Sequence, residues 1–271
     1  MKYRLIATDM DGTLLNDDSA ITQRTIDAIK RAVGAGAIFV TATGRSMRGV
    51  EFINALFDED MPFIIYNGAS AIMGKSRKVL LNKYLDFKLA KEAYELGADR
   101  GVPMILWTDE HLWVNRICDE TVYYREYYQT ELNIVTDMCN LKEENIYKIF
   151  WIDTPEKTSR FQDEMKEHFG GRLNCHTSRP EYLEFVSPEA EKGAALAEVG
   201  KILGIDRNEM IAVGDGYNDI SMLKFAGLGV AMENAPNDIK AVCDHVTLSN
   251  NSDGVAAVIE RFILCKSACQ P

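Results

Sequence analysis

Four short apolar runs stop abruptly at polar turns: KYRLIATD at 2–9, AIFVTATG at 37–44, MPFIIYNGA at 61–69 and MIAVGDG at 210–216. Each is almost continuously apolar, with none of the alternation of a strand that faces water on one side. Such runs fit strands buried on both faces, which is how parallel sheets are built. Between them lie helical patterns. ITQRTIDAIKRAVGAG carries Ile26, Ile29 and Val33 at helical spacing and closes on glycines. After residue 188 the alternation resumes: EKGAALAEVGKILGI as a helix, MIAVGDG as a strand, NDISMLKFAG as a helix, LGVAME as a strand, APNDIKAVCD as a helix, HVTL as a strand and SDGVAAVIERFIL as the last helix. This predicts an α/β fold, a doubly wound parallel sheet of Rossmann-like form.

The texture changes in the middle. All three tryptophans, at 107, 113 and 151, lie between 84 and 187. MILWTD and HLWVNR flank the turn TDEH and read as a hairpin. LNCHTS and YLEFVS flank RPE in the same way, and EKTSRFQDEMKEHFG is an amphipathic helix that ends on glycine. The expected organisation is therefore a core made of 1–83 and 188–271, interrupted by an inserted α+β cap at 84–187.

A net charge of −11 argues against nucleic acid as a partner, because a phosphate backbone needs a basic surface. No apolar run approaches the roughly 20 residues of a membrane span, and the first residues carry no secretory signal pattern. The six cysteines include no CxxC pair or zinc spacing, and Cys265 and Cys269 near the tail carry no functional weight. These features predict a cytoplasmic protein with reduced thiols and no membrane partner, and leave its oligomeric state open.

Chemistry concentrates at the strand ends, where open parallel sheets bind ligands. Asp9 and Asp11 follow the first strand. At that spacing both carboxylates can point to one side, which is costly unless a cation lies between them or one is protonated. A hard, oxygen-seeking ion such as Mg²⁺ suits the pair. TATGR places Thr43, Gly44 and Arg45 after the second strand, a hydroxyl, a backbone N–H and a guanidinium able to receive a phosphate. Lys192 opens a helix, where the dipole gives an ammonium no support. GDGYND adds Asp215, Asn218 and Asp219 after a later strand. Each motif alone also reads as a turn, an N-cap or a solvated lysine. Together they supply the parts of a metal-assisted displacement at phosphorus.

DMDGT, TATGR, EKG and GDGYND, in this order, resemble the four motifs of the haloacid dehalogenase superfamily of phosphatases. The position of the insert and the spelling GDGYND resemble the Cof-type subfamily, whose members carry a large α/β cap. The resemblance implies that Asp9 is a nucleophile forming an aspartyl-phosphate and that Asp11 is the acid and base. It implies that Thr43 and the Gly44 N–H receive the phosphoryl group, with Arg45 and Asn218 on the substrate, and that Lys192 neutralises charge and steadies Asp9. Asp9, the Asp11 carbonyl and Asp215 would hold Mg²⁺, supported by Asp219, which pairs with Lys192. The aspartate at 11 separates phosphatases from the dehalogenases, which lack it. VSPEAEKG departs from the smoother loop of relatives by two glutamates before Lys192.

The expected function is a Mg²⁺-dependent phosphatase of small phosphorylated metabolites, such as sugar phosphates or phosphorylated cofactors. The alternatives are a phosphomutase of the same superfamily, which also uses an aspartyl-phosphate, and a phospho-ligand sensor without turnover. Selectivity beyond the phosphate falls to the cap, with Trp107, Trp113, His111, His176, Arg179 and Tyr182 as candidates. The pairs Tyr123/Tyr127 and Tyr124/Tyr128, each four apart, read first as packing.

Overall fold

A computed structural model describes residues 1–109, 111–128 and 130–265, apart from the side chains of Tyr127, Tyr128 and Ser178. The chain forms two units, Met1–Asn82 with Glu191–Pro271, and Lys83–Ala190.

The first stretch runs β1 (Leu5–Thr8), α1 (Gln23–Gly34), β2 (Ile38–Ala42), α2 (Met47–Asn54) and β3 (Pro62–Ile65), then β4 (Ser70–Met73) and β5 (Val79–Asn82). Leu5, Ile6 and Ala7 are wholly buried, as the unbroken apolar run requires. Thr22 starts α1, its hydroxyl accepting from the Thr25 N–H and satisfying a donor that the helix leaves unpaired.

The middle unit holds α3 (Phe87–Asp99), β6 (Met104–Thr108), β7 (Leu112–Val114), α4 (Asp119–Tyr128), β8 (Leu132–Ile134), β9 (Ile146–Ile152), α5 (Pro155–Phe169), β10 (Asn174–Arg179) and β11 (Tyr182–Val186). Its six strands lie in the order β10-β11-β9-β6-β7-β8. All neighbours are antiparallel except β7 and β8. One sheet face, with Leu106, Ile149, Trp151 and Phe185, forms a core with Ala90 and Ala93 of α3 and with Phe161 and Met165 of α5. The two expected hairpins are present. The sheet's central strand, β9, had no counterpart among the expected elements.

The last stretch supplies α6 (Lys192–Leu203), β12 (Met210–Gly214), α7 (Ile220–Phe225), β13 (Leu228–Ala231), α8 (Asn237–Lys240), β14 (His245–Val246) and α9 (Gly254–Ile259). It joins the first stretch in one eight-stranded sheet, β14-β13-β12-β1-β2-β3-β4-β5. From β14 to β3 neighbouring strands are parallel, whereas β4 and β5 add an antiparallel edge. The sheet is therefore mixed, not purely parallel. The last helical run also differs from expectation, because α9 passes into a π-helical turn over Glu260–Leu264.

Register explains where chemistry collects. Thr8 of β1 pairs with Val213 of β12 on one side and with Thr41 of β2 on the other. The three strands end level, so the residues that follow them meet above one sheet edge.

Candidate active site

Asp9 continues β1, its backbone N–H donating to the Val213 carbonyl at 2.8 Å. Lys192, at the first turn of α6, reaches the same place. Its ammonium donates to Asp9 Oδ1 at 2.5 Å and to Asp219 Oδ1 at 2.6 Å. The Lys192 and Asp219 side chains are wholly shielded from solvent, and that of Asp9 nearly so. A buried charge this deep persists only with partners that satisfy it. The second oxygen of Asp219 accepts from the backbone N–H groups of Asp215 at 3.0 Å and Gly216 at 2.9 Å. Asp219 thus ties Lys192 to the turn that carries Asp215.

Asp215 points toward the first loop, where Thr13 Oγ1 donates to its Oδ1 at 2.7 Å. The close approach depends on Gly12, which has φ of +79°; a Cβ there would lie 2.4 Å from Asp215 Oδ2. Carboxylate oxygens of Asp9, Asp215 and Asp219 lie within 4.8 Å of one another. Three carboxylates facing one ammonium leave an excess of negative charge. Burial, followed by the charge of Asp219, pushes the Asp9 carboxyl up to about 8. Burial also raises Asp215 to about 6, against the hydrogen bond from Thr13. Burial opposes the Lys192 ammonium, but the charges of Asp219 and Asp9 outweigh it and raise its pKa. Such a donor set, all oxygen and short of positive charge, fits a hard divalent cation.

Asp11 stands apart from this cluster. Its side chain is 55% exposed, and Arg45 grips it with two donors, Nε at 3.0 Å and Nη2 at 2.5 Å. The guanidinium that the sequence reading assigned to substrate therefore lies on the neighbouring carboxylate. Thr43 is buried after β2, and its hydroxyl accepts from the Arg45 N–H at 3.1 Å. Asn218 donates from Nδ2 to Asn67 Oδ1 at 3.0 Å.

The structure thus gathers Asp9, Lys192, Asp215 and Asp219 into one cluster, with Asp11 and Arg45 paired to each other. Thr43 and Gly44 belong to the turn after the neighbouring strand. Sequence reasoning missed two residues. Thr13 stood inside the quoted DMDGT motif, yet a threonine after a glycine in a turn gives no sign of a distant partner. Asn67 lay in a run read only as a strand end.

The cap candidates belong to the middle unit. Trp113 packs against its hydrophobic core. Trp107 is opposite Lys148 in the β6–β9 register, on the other sheet face. Lys148 Nζ donates to Glu184 Oε1 at 3.2 Å, and His176 Nε2 is 3.8 Å from Glu184 Oε2. Burial lowers the His176 pKa, against the charge of Glu184. His111 lies against the Trp113 ring, and the Arg179 guanidinium lies 5.9 Å over the Tyr182 ring. Tyr124 packs on Phe150 and Tyr182, whereas the stripes toward Tyr127 and Tyr128 lie outside the described side chains, as Cys269 lies outside the described residues. Cys118, Cys139, Cys175 and Cys243 are free thiols. No helix among the described residues is long and apolar enough to cross a membrane.

Residues 6–259 match the model of the haloacid dehalogenase-like hydrolases. YxeH of Bacillus subtilis (strain 168) is 33% identical over 269 residues, covering 97% of this chain and the whole of that protein. The 5-amino-6-(5-phospho-D-ribitylamino)uracil phosphatase YwtE of the same organism is 31% identical over 287 residues, covering 96% of this chain and 98% of its own. A haloacid dehalogenase-like hydrolase from Bacteroides thetaiotaomicron has the same fold in its crystal structure. Its TM-score is 0.87 at 29% identity, over 96% of this chain and 99% of that one.

Proposed function

Since this chain belongs to the haloacid dehalogenase-like hydrolases, we propose that it is a Mg²⁺-dependent phosphatase that releases phosphate from small phosphorylated metabolites through an aspartyl-phosphate on Asp9. The observation that carries this reading is the buried Lys192 ammonium shared between Asp9 and Asp219, beside Asp215 and at the edge where β1 and β12 end level. An arrangement that only stabilised the fold would not crowd three carboxylates around one cation.

In this reading Asp9 and Asp215 hold the ion with the Asp11 carbonyl, and Asp219 supports them from behind, its own oxygens already engaged. The bound ion supplies positive charge that screens the approach of a carboxylate to an anionic phosphate. Asp9 attacks phosphorus through one oxygen as the bond to the leaving oxygen breaks. Asp11 gives that oxygen its proton. A water then attacks the phosphorus and gives a proton to Asp11, and the bond from phosphorus to Asp9 breaks to release phosphate. Lys192 keeps Asp9 fixed in place. Thr43 and the Gly44 N–H receive phosphoryl oxygens, and Asn218 contacts the same group. Arg45 orients Asp11, whose exposure suits an exchange of protons with leaving group and water.

The substrate named for two relatives, 5-amino-6-(5-phospho-D-ribitylamino)uracil, makes ribityl-type phosphate monoesters the first class to assay. The test is phosphate release from a metabolite panel with Mg²⁺ present. Chelation is expected to stop turnover, and added Mg²⁺ to restore it. Turnover that persists in chelator would overturn the site as drawn. Because Asp9 and Asp215 carry raised pKa values, protons compete with the cation; Mg²⁺ affinity, read by titration calorimetry, is expected to rise between pH 6 and 8.

A further inference from the structure

Three consecutive residues after β3 have left-handed backbones: Tyr66 with φ of 52°, Asn67 with 55° and Gly68 with 100°. Glycine accepts this region and asparagine tolerates it, but a tyrosine there is rare. Such strain persists only where the surroundings overdetermine it, and it collects at functional sites. Here the surroundings are the turns that carry the site. The Tyr66 N–H donates to the Arg45 carbonyl at 3.0 Å, and the Asn67 N–H to the Thr43 carbonyl at 2.9 Å. Gly68 presses on the residue before Lys192, since a Cβ on it would lie 2.4 Å from the Glu191 carbonyl oxygen.

The Asn67 side chain adds two more contacts. Its Oδ1 accepts from Asn218 Nδ2 at 3.0 Å. Its amide also lies against Gly44, where a Cβ would stand 3.1 Å from both Nδ2 and Oδ1. One three-residue turn therefore touches the 43–45 turn, the start of α6 and the 218 side chain, which come from three separate parts of the sequence.

We infer that Asn67 is a positioning residue of this phosphatase site, holding the Asn218 amide and the Thr43–Gly44 backbone in one fixed arrangement for the phosphoryl group. The inference rests on the proposed function. Asn67 itself need touch no substrate; it acts through Asn218 and Gly44.

Asn67→Gly is the informative variant, because glycine accepts φ of 55° and only the amide is lost. With p-nitrophenyl phosphate and Mg²⁺, kcat is expected to fall roughly 10- to 100-fold, as small misplacements do, with KM within about twofold and an unchanged melting temperature. Asn218→Ala should fall similarly, and the double variant by less than the two losses multiplied together. Wild-type kcat in Asn67→Gly, or additive losses in the double variant, overturns the inference. Wild-type turnover separately tests the proposed function. If the wild type releases no phosphate, the function fails, and the inference is read from the Asn218 side-chain amide resonances. A clear shift in Asn67→Gly supports it, and unchanged resonances overturn it.

Discussion

Asp9→Asn is expected to lower phosphate release by at least about 10⁴-fold, because it removes the attacking oxygen's charge and a cation ligand together. The variant should remain folded. Asparagine keeps the shape of the side chain, and its oxygen still accepts from Lys192. The sign of the stability change follows from the raised Asp9 pKa of about 8 against an ordinary 3.8. A carboxyl raised in the folded state takes up a proton on folding, so its contribution to stability is greatest at low pH. That contribution falls as pH rises from about 4 toward 8. Removing the ionisable group removes this loss. Without metal, the variant should therefore gain on the wild type as pH rises through that window. Thermal unfolding in chelator at pH 5 and pH 8 measures it. A variant that unfolds at both pH values, or one that retains a tenth of the activity, contradicts the role given to Asp9.

Lys192→Met should be the most destabilising single change in the core unit. The ammonium is wholly buried and donates to two carboxylates at 2.5 and 2.6 Å. Its removal leaves three carboxylates facing one another, with no charge to offset them. Breaking a buried pair from one side typically costs about 3–5 kcal/mol, because the surviving charge is left uncompensated. If charge is the cause, Lys192→Met combined with Asp219→Asn should recover part of the loss, and a divalent cation should raise the melting temperature more than in the wild type. Equal destabilisation in the single and double variants would point instead to lost packing around the lysine stem. Turnover should be lost in both.

The strands legible in sequence were those with simple surroundings. β1, β2, β3 and β12 lie between layers on both faces, so their runs are continuously apolar and their ends are marked by Asp, Gly or Thr. β9 is as deeply buried, yet IYKIFWI escaped notice. Its Lys148 interrupts the run and makes sense only beside Glu184, a partner 36 residues away. The antiparallel edge of β4 and β5 escaped for another reason. Beyond the buried Ser70 and Ala71 its residues are partly or largely exposed, with Val79 at 50%, so neither alternation nor a continuous run declares them.

The site divides in the same way. Residues whose chemistry is unusual for a turn, such as paired aspartates or a lysine at a helix start, were visible as types. Residues whose role is only geometric were not. Thr13 and Asn67 act through partners 202 and 151 positions away, and the grip of Arg45 on Asp11 depends on where two loops come to rest. Spacing along a chain holds no record of such distances.

The order of strands in the core sheet also has a consequence for synthesis. β1 is made well before β12, and it lies between β2 and β12. One of its edges is satisfied as soon as β2 forms. The other waits for Met210 and the residues after it, which pair with Leu5 onward. At translation rates of about 5–20 residues per second, that edge stays open for roughly 10–40 s on every nascent chain. Unpaired apolar strand edges recruit other chains, so this interval is when the protein is most exposed to misassembly. Lys192 and Asp215 arrive with the same late segment, and the end of that interval is also the first moment at which Asp9 can acquire its partners.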